Sequence, residues 1–164
     1  MPIVLVRVDE RLVHGQVLEG WLPSTRAEQL LVANDDLIED ETRRLLIQWS
    51  VPYTVELVLD GVVQIARRLL RNGNPDLRKM VIVESPVDAL RLRREGVRFD
   101  SLNVGNFASK VPAVSLSESV SVGGEQLEAL MRIIEEGVRV SVQRVPYERA
   151  VDILDLKEPP HACK

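Results

Sequence analysis

Short apolar, β-branched runs alternate with stretches of helical period along nearly the whole chain, and this alternation restricts its fold more than any other feature of the sequence. The runs are Ile3 to Val8, Gln29 to Ala33, Tyr53 to Leu59, Met80 to Val83, Phe99 to Val104 and Val138 to Val142. A run apolar on successive residues is a strand buried on both faces. Between them, Val62, Ile65, Ala66 and Leu69 recur at i, i+3, i+4 and i+7, and Leu127, Leu130, Met131 and Ile134 form a similar stripe. Strand following helix throughout implies parallel strands joined by right-handed crossovers. The expected fold is an α/β protein: an open, doubly wound, mainly parallel sheet with helices on both faces.

Punctuation residues place the remaining boundaries. The first helix starts near Gln16, buries Val17, Leu18, Trp21 and Leu22, and is expected to end at Pro23. A helix over Asp40 to Gln48 stops before Pro52; Asp60 is read as the cap of the next, which Asn72-Gly73-Asn74-Pro75 terminates. Ser85-Pro86 opens a further helix and Gly96 closes it. Val111 to Leu116 and Val120 to Val122 read either as two short strands or as one strand and a loop, and Arg149 to Leu154 as a last short helix.

The chain of 164 residues fits a single domain over 1–157, with 158–164 as a flexible tail. Apolar residues at 45% and charged residues at 28% describe a globular protein. No run reaches the ~20 apolar residues of a membrane span. The lone Cys163 and the absence of a signal-like N-terminus lead to a cytoplasmic expectation. A net charge of -4 argues against a nucleic-acid partner. Arginine supplies 17 of the 21 basic residues, and arginine suits bidentate phosphate contacts. His161 and Cys163 have no further ligands nearby in the sequence, so no metal is expected; no dinucleotide fingerprint or P-loop is present, and no cofactor is expected.

In a doubly wound sheet, ligands bind beyond the carboxyl ends of the strands, near the point where strand order reverses. The polar residues that follow the strands are Asp9 to His14, Asn34 to Asp36, Asp60 and Asn103 to Asn106. His14, one of two histidines, lies between the first strand and its helix. The free N–H groups at a helix start bind anions, so Gly15, Gln16 and Val17 are candidate phosphate donors, with Arg11 adding charge. The imidazole is a nucleophile near neutral pH and can carry phosphate covalently, with Asp9 orienting the ring. Arg7, Asn34, Asp35, Asp60, Asn103 and Gly105 form a candidate rim. Arg7 also reads as the partner of a nearby acid, Asp60 as a cap and Asn103 to Asn106 as turn chemistry.

Arg7-Val8-Asp9-Glu10-Arg11-Leu12-Val13-His14-Gly15-Gln16-Val17, with Trp21 one turn later, resembles the signature of the IIB subunits of the mannose/fructose/sorbose family of the bacterial phosphoenolpyruvate-dependent sugar phosphotransferase system. Val32-Ala33-Asn34-Asp35 and Asn103-Val104-Gly105 sit where that family has similar residues, whereas Asn106 replaces a common second glycine. The resemblance implies that His14 is phosphorylated by the phosphohistidine of a IIA partner. The phosphoryl group would then pass to a sugar held by membrane IIC and IID subunits, with which the protein would be peripherally associated. It also implies that Arg11 stabilises the phosphoryl group, that Asp9 shapes the loop, and that the chain forms homo-oligomers. The surface around His14 is expected to be shallow, since two partners must reach it in turn. The sequence leaves open a phosphorylatable regulatory module uncoupled from sugar transport, or an anion-binding domain with no covalent step.

Overall fold

The computed structural model describes residues 3–71 and 74–156. Its centre is a seven-stranded sheet built from β1 (Ile3–Asp9), β2 (Gln29–Ala33), β3 (Glu56–Asp60), β4 (Lys79–Val83), β5 (Ser101–Asn106), β8 (Arg139–Val142) and β9 (Val151–Asp152). The order is β3-β2-β4-β1-β5-β8-β9, all parallel except β9. β6 (Val114–Ser117) and β7 (Val120–Val122) form a separate antiparallel hairpin, which settles that segment as two strands.

Every residue of β2 and β4 is buried, as their unbroken apolar runs require. Side chains alternate across the sheet, so each strand feeds two cores. One core joins Val6, Val8, Leu31, Val81 and Val104 to α3 (Val62–Leu70), α4 (Pro86–Arg94) and α5 (Gly124–Glu135). The other joins Leu30, Val32, Met80 and Ile82 to Val17, Trp21, Leu22 and Ile47. Ile47 comes from α2 (Glu41–Ser50). Helices thus cover both faces, and the doubly wound α/β expectation holds.

Local chemistry explains most boundaries. The Asp40 carboxylate accepts the Arg43 N–H (3.0 Å) at the start of α2, and the Ser85 hydroxyl accepts that of Asp88 (3.2 Å) at the start of α4, where Pro86 takes the first turn. Gly96 and Gly137 leave α4 and α5 at φ +102° and +88°, a conformation that strains residues bearing a Cβ.

Three boundary expectations need correction. Pro23 does not end the first helix: Gln16–Trp21 winds as a π-helix and continues into α1 (Leu22–Thr25), where Pro23 sits in the first turn and lacks no needed N–H. The chain leaves this helix at Arg26 in a left-handed conformation (φ 51°). Asp60 does not cap α3: its carboxylate accepts the adjacent Gly61 N–H (2.8 Å), and the Val62 N–H is taken by Asp35 from the neighbouring strand end (2.9 Å). Arg149 to Leu154 is not a helix but the short strand β9, paired with β8, and a 3-10 turn over Ile153–Asp155. Residues 72–73 and the tail 158–164 with His161 and Cys163 lie outside the described residues.

Candidate functional site

From β1 the chain crosses to β2 on one side, and from β5 it proceeds to β8 on the other, so winding direction reverses between the neighbours β1 and β5. The site is assembled at their carboxyl ends. Arg7 and Asp9 are two apart on β1 and share the face that Trp21 covers. The register between β1 and β5 runs Arg7 to Asn103 and Val8 to Val104, then jumps to Asp9 opposite Asn106. Gly105 is the extra residue of this bulge, and the bulge brings the Asn106 side chain alongside Asp9.

Arg7 is fully buried in the central strand, and each of its five N–H groups has an acceptor. Nε and Nη2 donate to Asp9 Oδ2 (3.2 and 3.1 Å), Nη1 to Asn103 Oδ1 (2.5 Å) and the Gln143 carbonyl (3.0 Å), and Nη2 also to the Arg144 carbonyl (2.9 Å). The guanidinium carbon lies 5.1 Å from the centroid of the Trp21 ring, whose Nε1–H donates to the same Arg144 carbonyl (3.0 Å). The backbone of Gly105 closes the remaining side: a Cβ there would fall inside the guanidinium. Burial lowers Arg7 from the ordinary guanidinium value, opposed by the Asp9 charge and hydrogen bonds.

Asp9 is also fully buried. Burial alone would raise its carboxyl, but the His14 hydrogen bond, the Arg7 charge and the Asn106 amide outweigh it and hold Asp9 below the ordinary carboxylate range. Asp9 is therefore an acceptor only. Its Oδ1 takes the Arg11 N–H (3.0 Å); its Oδ2 takes Asn106 Nδ2 (3.0 Å) and pairs with His14 Nε2 at 2.7 Å. Nε2 of His14 therefore carries a proton toward Asp9, and in the neutral ring the lone pair lies on Nδ1. Nδ1 is buried and has no hydrogen-bond partner among the described residues.

The loop that turns His14 inward is tight. The Leu12 N–H returns to the Asp9 carbonyl (2.9 Å), with Leu12 buried in the core at φ 57°. A leucine in that region is uncommon and costs about 1–3 kcal/mol, a strain typical of functional loops. After it, the His14 carbonyl accepts the N–H groups of both Val17 and Leu18 (3.0 Å each). Val17 is therefore already engaged and is no anion donor, a correction to the expected trio. Gly15 and Gln16 make no such backbone bond among the described residues, and space around Gly15 is open. The π-helix that begins at Gln16 also lets the Gln16 side chain accept from Asn106 Nδ2 (3.0 Å).

Of the residues expected at the rim, Arg7 bonds Asp9 directly, and Asn103 and Gly105 act one step back by holding the Arg7 guanidinium. Asn34, Asp35 and Asp60 occupy the same sheet edge but share no hydrogen bond with this cluster. Asn34 bonds Glu84 and the Leu37 N–H; Asp35 bonds Arg91 (2.8 Å) as well as Val62. Burial would raise Asp35, but the Val62 N–H and Arg91 hold it below the ordinary range. Arg11 shares the loop with His14 but points elsewhere: its exposed side chain, with Glu10, Lys110 and Phe107, lines a cleft of about 700 Å³ toward the α5 N-terminus. Sequence reasoning missed Gln16 and Asn106 as side chains and the Gln143 and Arg144 carbonyls, which lie far from His14 in the chain.

Among the described residues no helix is long and apolar enough to cross a membrane. Residues 3–161 match the family model described as PTS system sorbose subfamily IIB component, PTS being the phosphotransferase system. An N-acetylgalactosamine-specific phosphotransferase enzyme IIB component 2 of Escherichia coli K12 is 34% identical over 165 positions, covering 95% of this chain and 99% of that protein. A mannose-specific EIIAB component of the same strain is 30% identical over 159, covering 95% of this chain but 48% of that longer protein. The crystal structure of the IIBSor domain of the Klebsiella pneumoniae sorbose permease superposes with a TM-score of 0.87 at 28% identity, covering 94% of this chain and 95% of that one. With a buried Arg-Asp-His array at the switch point of such a sheet, and a family match spanning nearly its whole length, this chain belongs to the sorbose subfamily of PTS IIB components.

Proposed function

We propose that this IIB component is a cytoplasmic phosphocarrier that takes a phosphoryl group onto Nδ1 of His14 from a IIA phosphohistidine and yields it to a sugar held by membrane IIC and IID subunits. The observation that carries the reading is the division of the His14 ring: Nε2 is committed to Asp9, and Nδ1 is the nitrogen left with a lone pair. A relative named as an EIIAB component supports the choice of a IIA partner.

In the forward step the Nδ1 lone pair attacks phosphorus in line with the donor's P–N bond. That bond breaks, its electron pair returns to the donor imidazole, and a new P–N bond forms on His14. Positive charge develops on the His14 ring as the lone pair is used, and the Asp9 carboxylate stabilises it through the Nε2 proton, which never leaves. Arg7 keeps Asp9 ionised in the interior. The Gly15 and Gln16 N–H groups, with Arg11 swung from its cleft, hold the phosphoryl oxygens, which need positioning more than covalent help. Because Nδ1 is covered in the resting protein, docking of the donor turns the loop from Glu10 to His14 outward, a movement that relieves the strain at Leu12. The reverse geometry serves the sugar.

Incubation with phosphoenolpyruvate, the general phosphotransferase proteins and a IIA partner is expected to add one acid-labile phosphate per chain. Labelling that persists in His14→Ala would overturn the assignment, and a phosphate found on Nε2 would overturn the role given to Asp9.

A further inference from the structure

The loop that carries His14 leaves β1 at Glu10 and passes into the helix at Gln16. Both of its ends are held by one residue of another strand. The Asn106 carbonyl accepts the Glu10 N–H (2.9 Å), and Asn106 Nδ2 donates to Gln16 Oε1 (3.0 Å). The second N–H of the same nitrogen goes to Asp9 Oδ2 (3.0 Å). Because Asp9 only accepts, the amide of Asn106 must present its nitrogen there, and that nitrogen in turn draws the oxygen of Gln16 inward. The Gln16 side chain has no other hydrogen bond among the described residues.

Asn106 is itself a fixed point. It ends β5 opposite Asp9, directly after the bulge. The Gly105 carbonyl before it accepts the Ser119 hydroxyl (2.8 Å), and the Phe107 N–H after it reaches the Ser119 carbonyl (3.0 Å). The Ser121 N–H returns to the Phe107 carbonyl (2.8 Å). The turn between β6 and β7 thus clasps the end of β5 on both sides of Asn106, so a group bonded to the Asn106 side chain is referred to the sheet and not to the loop.

We propose that Asn106 is a positioning residue for phosphoryl transfer, tying Asp9 and Gln16 together so that the His14 ring and the helix start keep one mutual geometry while the loop between them moves. The inference rests on the phosphocarrier reading of His14. In-line attack needs the Nδ1 lone pair and the phosphorus on one axis. The direction of Nδ1 is set by Asp9 through Nε2, at the end of β1, whereas the N–H groups of Gly15 and Gln16 that receive the phosphoryl oxygens belong to the helix start. Within the chain these two are joined only by the loop that turns outward when the donor docks. The amide of Asn106 supplies the second connection, and it touches neither the ring nor the phosphoryl group.

Single-turnover labelling by a phosphorylated IIA protein, followed over a range of IIA concentrations, tests this. Asn106→Ala is expected to lower the saturating rate by about fivefold or more, the rate equivalent of one neutral hydrogen bond. The IIA concentration at half-saturation should not change, and the final label should stay at one phosphate per chain, which separates slower transfer from a loss of folded molecules. Gln16→Ala keeps the main-chain N–H but removes the acceptor, so it should also slow the step, and the double variant should be no slower than Asn106→Ala alone. Should Asn106→Ala fail to fold, Gln16→Ala in the first turn of the helix decides by its rate. Wild type that takes no label on His14 overturns the phosphocarrier reading and this inference with it. Normal labelling of wild type with either single variant at the wild-type rate, a shift confined to half-saturation, or losses that add in the double variant overturns this inference alone.

Discussion

Gly105→Ala is the sharpest test of how the site is held. The added methyl would occupy the place of the Arg7 guanidinium, so the two cannot coexist without movement. The guanidinium has no free direction: its five N–H groups are bound to Asp9, Asn103 and the Gln143 and Arg144 carbonyls, and Trp21 covers its face. A shift that clears the methyl lengthens at least two charge-assisted hydrogen bonds, each worth about 1.5–3 kcal/mol, for a total of about 3–6 kcal/mol. Breaking a buried ion pair costs a similar ~3–5 kcal/mol. Since a domain of this size is held by about 5–15 kcal/mol, the loss should show as a large fall in the urea midpoint at unchanged slope. Phosphoryl acceptance should fall as well, because Asp9 loses the charge that keeps it ionised. Gly15→Ala is the control: its Cβ would meet nothing within 4 Å and its backbone is already helical, so stability should hold or rise slightly. A Gly105→Ala midpoint within about 0.5 kcal/mol of wild type would refute the reasoning, since effects that small are typical of surface substitutions.

The pH response of stability gives two further checks. The folded Asp9 carboxyl lies below its ordinary value, so its stabilisation is present above about pH 4, the unfolded carboxyl range, and is lost as pH falls through the folded value. Asp9→Asn should therefore be strongly destabilised at pH 7, with Arg7 left buried and unpaired, and its urea midpoint should fall less than that of wild type on acidification. Asp88 has the opposite sign: burial, helped by Asp35 and Glu84 and opposed by Arg91, raises its carboxyl, so its ionisation weakens the folded state above the raised value and not below the ordinary one. Asp88→Asn should be at least as stable as wild type at pH 7, with Arg91 keeping Asp35 as its partner, and the difference should close toward pH 4.

How much of this was legible in the sequence depends on the range over which each feature is decided. Buried strands announce themselves, because a strand covered on both faces has to be apolar at every position; Gln29 to Ala33 matches β2 residue for residue. Ser85-Pro86 and Gly96 mark α4 through chemistry completed within a few residues. Pro23 misled because its effect depends on the turn before it: a π-helix places it where an N–H is not needed. Asp60 misled because the group that caps α3 comes from Asp35, on another strand end. The segment Val151–Asp152 became a strand through pairing with β8, which no local propensity encodes.

The site divides along the same line. Arg7, Asp9 and His14 stand within eight residues of one another, and the spacing of Arg7 and Asp9 places both on one strand face. What the sequence could not display is that Asp9 belongs to two partners at once. Its Oδ2 faces Arg7, which fixes its charge, and His14, which uses that charge, while Asn106 binds the same oxygen from β5. That convergence requires the bulge at Gly105, and the bulge in turn requires a residue without a side chain above Arg7. Gly105, which read as turn chemistry, is thus the point at which strand register, the buried cation and the orientation of the His14 ring become one constraint. A change there acts on the chemistry at His14 without touching His14, through the Arg7–Asp9 pair that lies between them.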